Sequence, residues 1–176
     1  MNFYEQENNK TVLKTREIIR ELPEFCNEFF LDLNQNTLPK TRMGYAYDLR
    51  VFFNFLVTEN KEFLGRDIKS LTLDDLQKIK VVDINQFMDY LAYYVSDEDS
   101  QLYSNGENGK ARKLAAVRKL FKYFYRTEKI SSNPAELTIT PKRHEKEIVR
   151  LEPNEVAEML DVIENDIKAK GILWKN

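Results

Sequence analysis

The chain holds one cysteine and one histidine in 176 residues, with only five glycines and five prolines. A lone thiol, Cys26, allows no intrachain disulfide and fits a reducing compartment. One His and one Cys cannot supply any usual zinc ligand set, so no metal site is expected. Glycine is too sparse for a phosphate loop, and Gly106 and Gly109 in "NGENG" read as a turn. Scarce Gly and Pro beside 32% charged and 42% hydrophobic residues argue against disorder and against a turn-rich β architecture. No apolar run approaches the ~18 to 20 residues of a membrane span, and "MNFYEQENNK" lacks the apolar stretch of a signal peptide. A soluble, cytoplasmic chain with no membrane partner is expected. Its length suits one domain and part of a second.

What is present is an uneven charge. The net charge of −2 hides −6 over residues 1 to 105, +7 over 106 to 150 and −3 over 151 to 176. The stretch "KARKLAAVRKLFKYFYRTEK", residues 110 to 129, carries eight Lys or Arg and one acid. A local field of that sign draws a polyanion whatever the whole-chain charge.

Periodicity predicts helices nearly throughout. "TVLKTREIIREL" is a weak first helix, and Pro23 at N1 opens a second through Phe25, Phe29, Phe30 and Leu33. After "NQNTLPK", with Thr37 or Leu38 as cap, a long amphipathic helix carries Tyr45, Leu49, Phe52, Phe53 and Leu56. "ENKEFLGRDIKS" reads as a loop, and "TLDDLQKI" starts on a Thr cap with acids in its first turn. Asp83 and Gln86 resemble a capping box for "INQFMDYLAYYV". "SDEDSQLYSNGENG", with the acidic run Asp97 to Asp99, is a polar loop ending on Asn108 as cap of the basic helix. "ISSNPAEL" makes a turn and one further helical turn, "TITPKRHEKEIVR" an extended linker, and "LEPNEVAEMLDVIENDIKAK" a fresh helix with Pro153 at N1 and Glu155 at N3.

Sorted at about 100° per residue, the basic helix has two faces. Leu114, Val117, Leu120, Phe121, Phe124 and Tyr125 fall on a core-facing arc. Arg112, Arg118, Lys119, Lys122 and Arg126 fall opposite, with Ala115 in their midst and Tyr123 at the border, its hydroxyl available to a phosphate. Lys110 and Lys113 sit off that arc. Arg118, Lys122 and Arg126 repeat at i,i+4 without an acid, whereas solvated faces usually mix signs. An anionic partner accounts for the tolerated repulsion. The chemistry of catalysis is missing: Asp74–Asp75 fits a helix start, the nine tyrosines and Cys26 read mostly as core, and no nucleophile–base pair emerges.

The order of segments resembles a family. "TRMGYAYDLRVFFNFL" is similar to the first long helix of the core-binding domain of tyrosine recombinases, the phage-integrase and Xer-type site-specific DNA recombinases, through Thr41, Tyr45, Leu49, Phe52 and Phe55. "RKLAAVRKLFKYFYRTEKISSNPAELTITPK" resembles the last long helix of that domain, and "LEPNEVAEMLD" the opening helix of the catalytic domain. The resemblance implies an all-α fold: an orthogonal, SAM-like bundle of four to five helices, plus a linker and one C-terminal helix. It divides the chain into an N-terminal extension (1–20), a core-binding domain (21–138), a linker (139–150) and the start of a catalytic domain (151–176). An arm, a docking helix and a flexible extension all stand open for the first 20 residues.

The implied partner is double-stranded DNA, gripped by half of a C-shaped clamp, with Lys40, Thr41 and Arg42 on the first long helix and Arg112, Arg118, Lys119 and Lys122 on the last. Lys142, Arg143 and Lys146 would follow the backbone along the linker. At ~6 neutralised phosphates the salt slope would be about −5. The family's tyrosine nucleophile forms a 3′-phosphotyrosyl link, assisted by arginines and a lysine. This chain departs from that pattern: His144 is followed by Glu147 where His-x-x-Arg would need Arg, the first catalytic Arg is expected beyond Asn176, and no tyrosine has the nucleophile's context. Gly109 stands where the family often has Thr. The expectation is a DNA-binding portion that does not cleave by itself, without catalytic residues, cofactor or metal, monomeric as a piece and tetrameric on DNA at full length. The rival reading is a helical protein-interaction module with a basic docking face.

Overall fold

The computed structural model of the chain describes residues 3–95, 101–140 and 152–169. The expected Lys142, Arg143, His144 and Lys146, and the acidic run Asp97 to Asp99, lie outside the described residues. Two compact units divide the chain, Met1–Arg143 and His144–Asn176. The fold is all-α. In the first unit the helices are α1 (Phe3–Ile19), α2 (Cys26–Asn36), α3 (Pro39–Glu59), α4 (Leu73–Lys78), α5 (Val81–Tyr90), α6 (Glu107–Arg126) and α7 (Pro134–Leu137). A two-residue hairpin, β1 (Tyr94–Val95) with β2 (Leu102–Tyr103), is inserted before α6 with Tyr94 opposite Tyr103.

α3 is the spine, packed by α1, α2, α5 and α6. Its i, i+3, i+4 apolar set (Leu49, Phe52, Phe53, Leu56) is fully buried, as the pattern predicts. Phe52 is ringed by Phe53, Phe87 and Phe121 at centroid distances of 5.5, 5.1 and 6.5 Å. Phe25 stands edge-on to Phe53 and Phe124, locking α3 to α6. Cys26 is buried in this core, and burial pushes its thiol pKa well up, so it is an inert packing group.

Helix ends depart from the sequence reading in several places. α1 begins at Phe3, eight residues before the predicted "TVLKTREIIREL", and buries Ile18. α2 begins at Cys26, so Pro23 precedes the helix instead of taking N1. At α3 the reading holds, since Leu38, one of the two expected caps, is the N-cap. Asp83 is N3 of α5, its carboxylate accepting from the Lys80 N–H at 2.7 Å, so it is not the N-cap. α6 starts from Gly106, which leaves Asn108 inside the first turn. The hairpin replaces the end of the predicted "INQFMDYLAYYV" helix and part of the predicted loop.

Thr72 and Asp75 form the expected start of α4. Asp75 accepts from the Thr72 N–H at 3.0 Å and from Arg66 at 2.9 Å. The Arg66 bond, chiefly, holds its carboxyl well below the usual carboxylate range, although burial opposes the shift. Its contribution is therefore full above the unfolded pKa near 4 and lost as pH falls below it. Asp75→Asn should lower stability by about 1 to 2 kcal/mol at pH 7, and the loss should shrink in acid, as urea melts at pH 7 and pH 3 would show.

α6 stops at Thr127, and Glu128 then takes φ of 58°, the left-handed position that glycine fills best. The Lys129 N–H closes back on the Phe124 carbonyl at 2.9 Å. Glu128→Gly should raise stability by about 1 kcal/mol, read as a higher Tm.

The second unit contains α8 (Pro153–Ala169), opened as expected by Pro153, with Glu155 accepting from the Glu152 N–H at 2.8 Å. Val156, Met159, Leu160 and Ile163 are exposed along it.

Candidate nucleic-acid interface

α6 is amphipathic because its apolar arc meets α3 and α2. Leu114, Val117, Leu120, Phe121 and Phe124 are fully buried. Tyr125, expected on that arc, is instead exposed, since it lies in the last turn past the edge of the core. Tyr123, expected at the border of the basic face, is buried beside Phe29 and donates its hydroxyl to Glu28 Oε1 at 2.7 Å. Burial first, then this carboxylate, pushes the phenol up to about 12. The hydroxyl is therefore committed to α2 and not offered to a phosphate. Tyr123→Phe should lower stability by about 1 kcal/mol and leave the cationic face as it is. Several other tyrosines also depart from the core reading, with Tyr93 73% exposed and Tyr103 40%.

The described cations of the candidate face fall into two groups. Lys40 in the first turn of α3, and Lys119 and Lys122 on α6, are exposed and have no ion-pair partner among the described residues, and the neutral Thr41 beside Lys40 is exposed as well. Ala115 is exposed between Arg112 and Lys119, as the helical angle predicts. The arginines are all engaged. Arg42 donates to the Thr37 carbonyl. Arg126 pairs with Asp32 at 3.3 Å while remaining 64% exposed. Arg118 is half-buried: its Nε donates to the Ala135 carbonyl at 3.0 Å, one Nη to the Thr138 carbonyl and the other to Thr140 Oγ1 at 2.6 Å. This guanidinium ties down the chain leaving α7, a role that a helical wheel cannot register.

Arg112 pairs across to α3, with Nη2 2.8 Å from Asp48 Oδ1. Asp48 is buried, and Lys113, also buried, brings its Nζ to 3.9 Å from the same oxygen. Desolvation outweighs both cations and pushes Asp48 up to about 6, while burial lowers Lys113. Lys113 donates to Asn105 Oδ1 at 2.9 Å, and Asn105 donates to the Leu91 carbonyl at 3.1 Å. A Cβ on Gly109 would come within 2.8 Å of that same Oδ1, which gives a physical reason for glycine at this position. Sequence reasoning missed Asp48 and Asn105. Asp48 falls on α3 between apolar positions, and only its acid character among them hinted at a partner.

Among the described residues, no group of three or more His, Cys, Asp or Glu side chains is placed to hold a metal ion. No described helix is long and apolar enough to cross a membrane. The class defined at this point is an all-α domain whose long helix α6 exposes Lys119 and Lys122, unpaired among the described residues, with Lys40 likewise exposed in the first turn of α3.

Comparison with known proteins gives the family. The chain is 31% identical over 156 residues to tyrosine recombinase XerC of Caldanaerobacter subterraneus subsp. tengcongensis, covering 85% of this chain and 41% of the relative. It is 34% identical over 130 residues to XerC of Chlorobaculum parvum, covering 74% and 34%, and 29% identical over 116 residues to XerC of Pelobacter propionicus, covering 66% and 32%. The chain belongs to the Xer-type tyrosine recombinases and corresponds to their N-terminal region. It spans less than half the length of these curated relatives. No family model matches the chain, and no solved structure matches it significantly.

Proposed function

We propose that this chain is the DNA-binding core portion of a site-specific tyrosine recombinase, and that it grips duplex DNA with α6 and the first turn of α3. The observation that carries this reading is the exposure of Lys119 and Lys122 on α6 and of Lys40 on α3, unpaired among the described residues, on a chain whose relatives are recombinases. Lysines held for fold stability find carboxylates, as Lys129 does with Glu28. Among the described residues these do not, and unpaired like charge on one helix face is the usual footprint of a phosphate backbone.

On this reading, residues 21–138 form the DNA-binding core, 139–150 the connection, and 151–176 the opening of the catalytic part. Lys142, Arg143 and Lys146 extend the contact along the backbone, and Arg126 joins it when it leaves Asp32. Strand cleavage needs groups that this chain does not supply. Action on DNA places the protein in the cytoplasm, and recombination between two sites implies a tetramer of the full-length protein on DNA.

Because Arg42 and Arg118 are engaged within the protein, the contacts left to the whole chain are Lys40, Lys119, Lys122, Arg126 and the linker cations Lys142, Arg143 and Lys146. The expected dependence of log K on log salt is then a slope of about −5 to −6. Fluorescence anisotropy of the chain against a labelled 30-base-pair duplex, from 20 to 300 mM salt, tests this. Binding that weakens with that slope supports the reading. No binding at the lowest salt overturns it in favour of a protein-docking face.

A further inference from the structure

We infer that Arg112 is the base-reading side chain of this interface, set by Asp48 to recognise the major-groove edge of a guanine. The inference rests on the α3/α6 face being the duplex-binding surface. It goes further by separating reading from gripping on that face.

The separation follows from how the cations are held. A phosphate contact needs charge near the backbone and tolerates a mobile side chain, which describes Lys40, Lys119 and Lys122. A base edge demands donors at fixed positions, because O6 and N7 of guanine accept two parallel N–H bonds. Arg126 also combines an anchored guanidinium with a largely exposed side chain, at 64%, but its anchor Asp32 is itself 41% exposed, whereas Arg112 is 56% exposed on a buried anchor. Its anchor is a carboxylate buried at 2% side-chain exposure on the neighbouring helix, so the guanidinium is positioned by the core itself.

A carboxylate beside a purely phosphate-binding arginine works against its purpose, because it cancels the charge. Beside a reader it is useful: the ion pair restricts the rotamers that binding would otherwise have to freeze and leaves the guanidinium's fork of N–H donors for the base edge. Lys113 supplies a second cation to the same oxygen, which keeps the cluster net positive. Close approach is open on both sides. On α3 the guanidinium lies against Gly44, where even an added Cβ would stand only 3.6 Å from Nη1, and on α6 the next turn presents Ala115. Arg118, the other candidate reader, is half-buried with all three of its nitrogens already bonded to Ala135, Thr138 and Thr140.

The test is selection of duplexes from a random pool by the full chain, followed by anisotropy on the selected duplex and on copies with single guanines replaced by 7-deazaguanine. The wild-type chain is expected to show one position whose replacement weakens binding about ten-fold. Arg112→Lys keeps the charge and should bind both duplexes alike, at the weaker level. Asp48→Asn should also lose the preference, while its affinity for duplexes lacking that guanine rises about two-fold because an anion has left the face. A pair that served only the fold would lower thermal stability and leave the guanine preference intact, and that result overturns the inference. If Asp48→Asn fails to fold, Arg112→Lys and the 7-deazaguanine duplexes still decide. Duplex binding with an undiminished guanine preference in Arg112→Lys rejects the reader alone, whereas absence of duplex binding at low salt rejects the interface and the reader together.

Discussion

Reversing charge at Lys119 and Lys122 together should lower duplex affinity by roughly two orders of magnitude or more and reduce the salt slope by about 2. Each change removes a counterion-releasing contact and places a carboxylate against the DNA backbone. The fold should be untouched, because both side chains are exposed and neither makes an ion pair among the described residues. Far-ultraviolet circular dichroism and Tm should match those of the unmodified chain. Arg118 makes a poorer test despite lying on the same arc. Its reversal would untie Ala135, Thr138 and Thr140, so lost binding would mix electrostatics with misplacement of the chain after α7.

The second large effect concerns the core. Phe52→Ala should lower stability by about 3 to 5 kcal/mol, a large share of the ~5 to 15 kcal/mol that holds a domain of this size. Phe52 has no exposed surface and touches three other rings, from α3, α5 and α6, so its removal leaves a cavity bounded by elements that cannot all close on it. Tm should fall by roughly 10 °C or more. Leu31→Ala, at a leucine 66% exposed on α2, should change stability by no more than about 0.5 kcal/mol. Thermal melts of the two variants side by side separate burial from hydrophobic character.

The helices were legible because their apolar positions repeat at the helical period, and of the positions read on α3, Leu49, Phe52, Phe53 and Leu56 are fully buried while Tyr45 is partly so. The errors arise where a neighbour, and not the helix itself, decides. Tyr123 and Tyr125 sit two residues apart in α6, yet α2 covers the first while the second stays 51% exposed. The hairpin of Tyr94–Val95 and Leu102–Tyr103 has strands of two residues, too short for alternation to register. Caps were misplaced where several polar residues compete: Asn105 is drawn away to Leu91 and Lys113, which leaves Gly106 as the cap of α6.

At the candidate interface, the positive block and the exposed Ala115 were visible in sequence, because both are properties of one helix. Which cations stay unpaired was not. That depends on Asp48, Asp32 and the Thr138 carbonyl, residues 20 or more positions from the arginines they hold. The structure turns a uniform basic arc into free lysines and committed arginines, and this distinction gives the proposed interface its division of labour.

The most direct test of the central claim is a map of the residues that DNA touches. Two-dimensional ¹H–¹⁵N spectra of the labelled chain, recorded while a short duplex is added at low salt, report each backbone amide. The account predicts shifts concentrated at Lys40 to Gly44 and from Arg112 through Lys122, with the amides of α1 and α5 unmoved. Shifts centred on α1, α2 or α8, with those two segments silent, would contradict it.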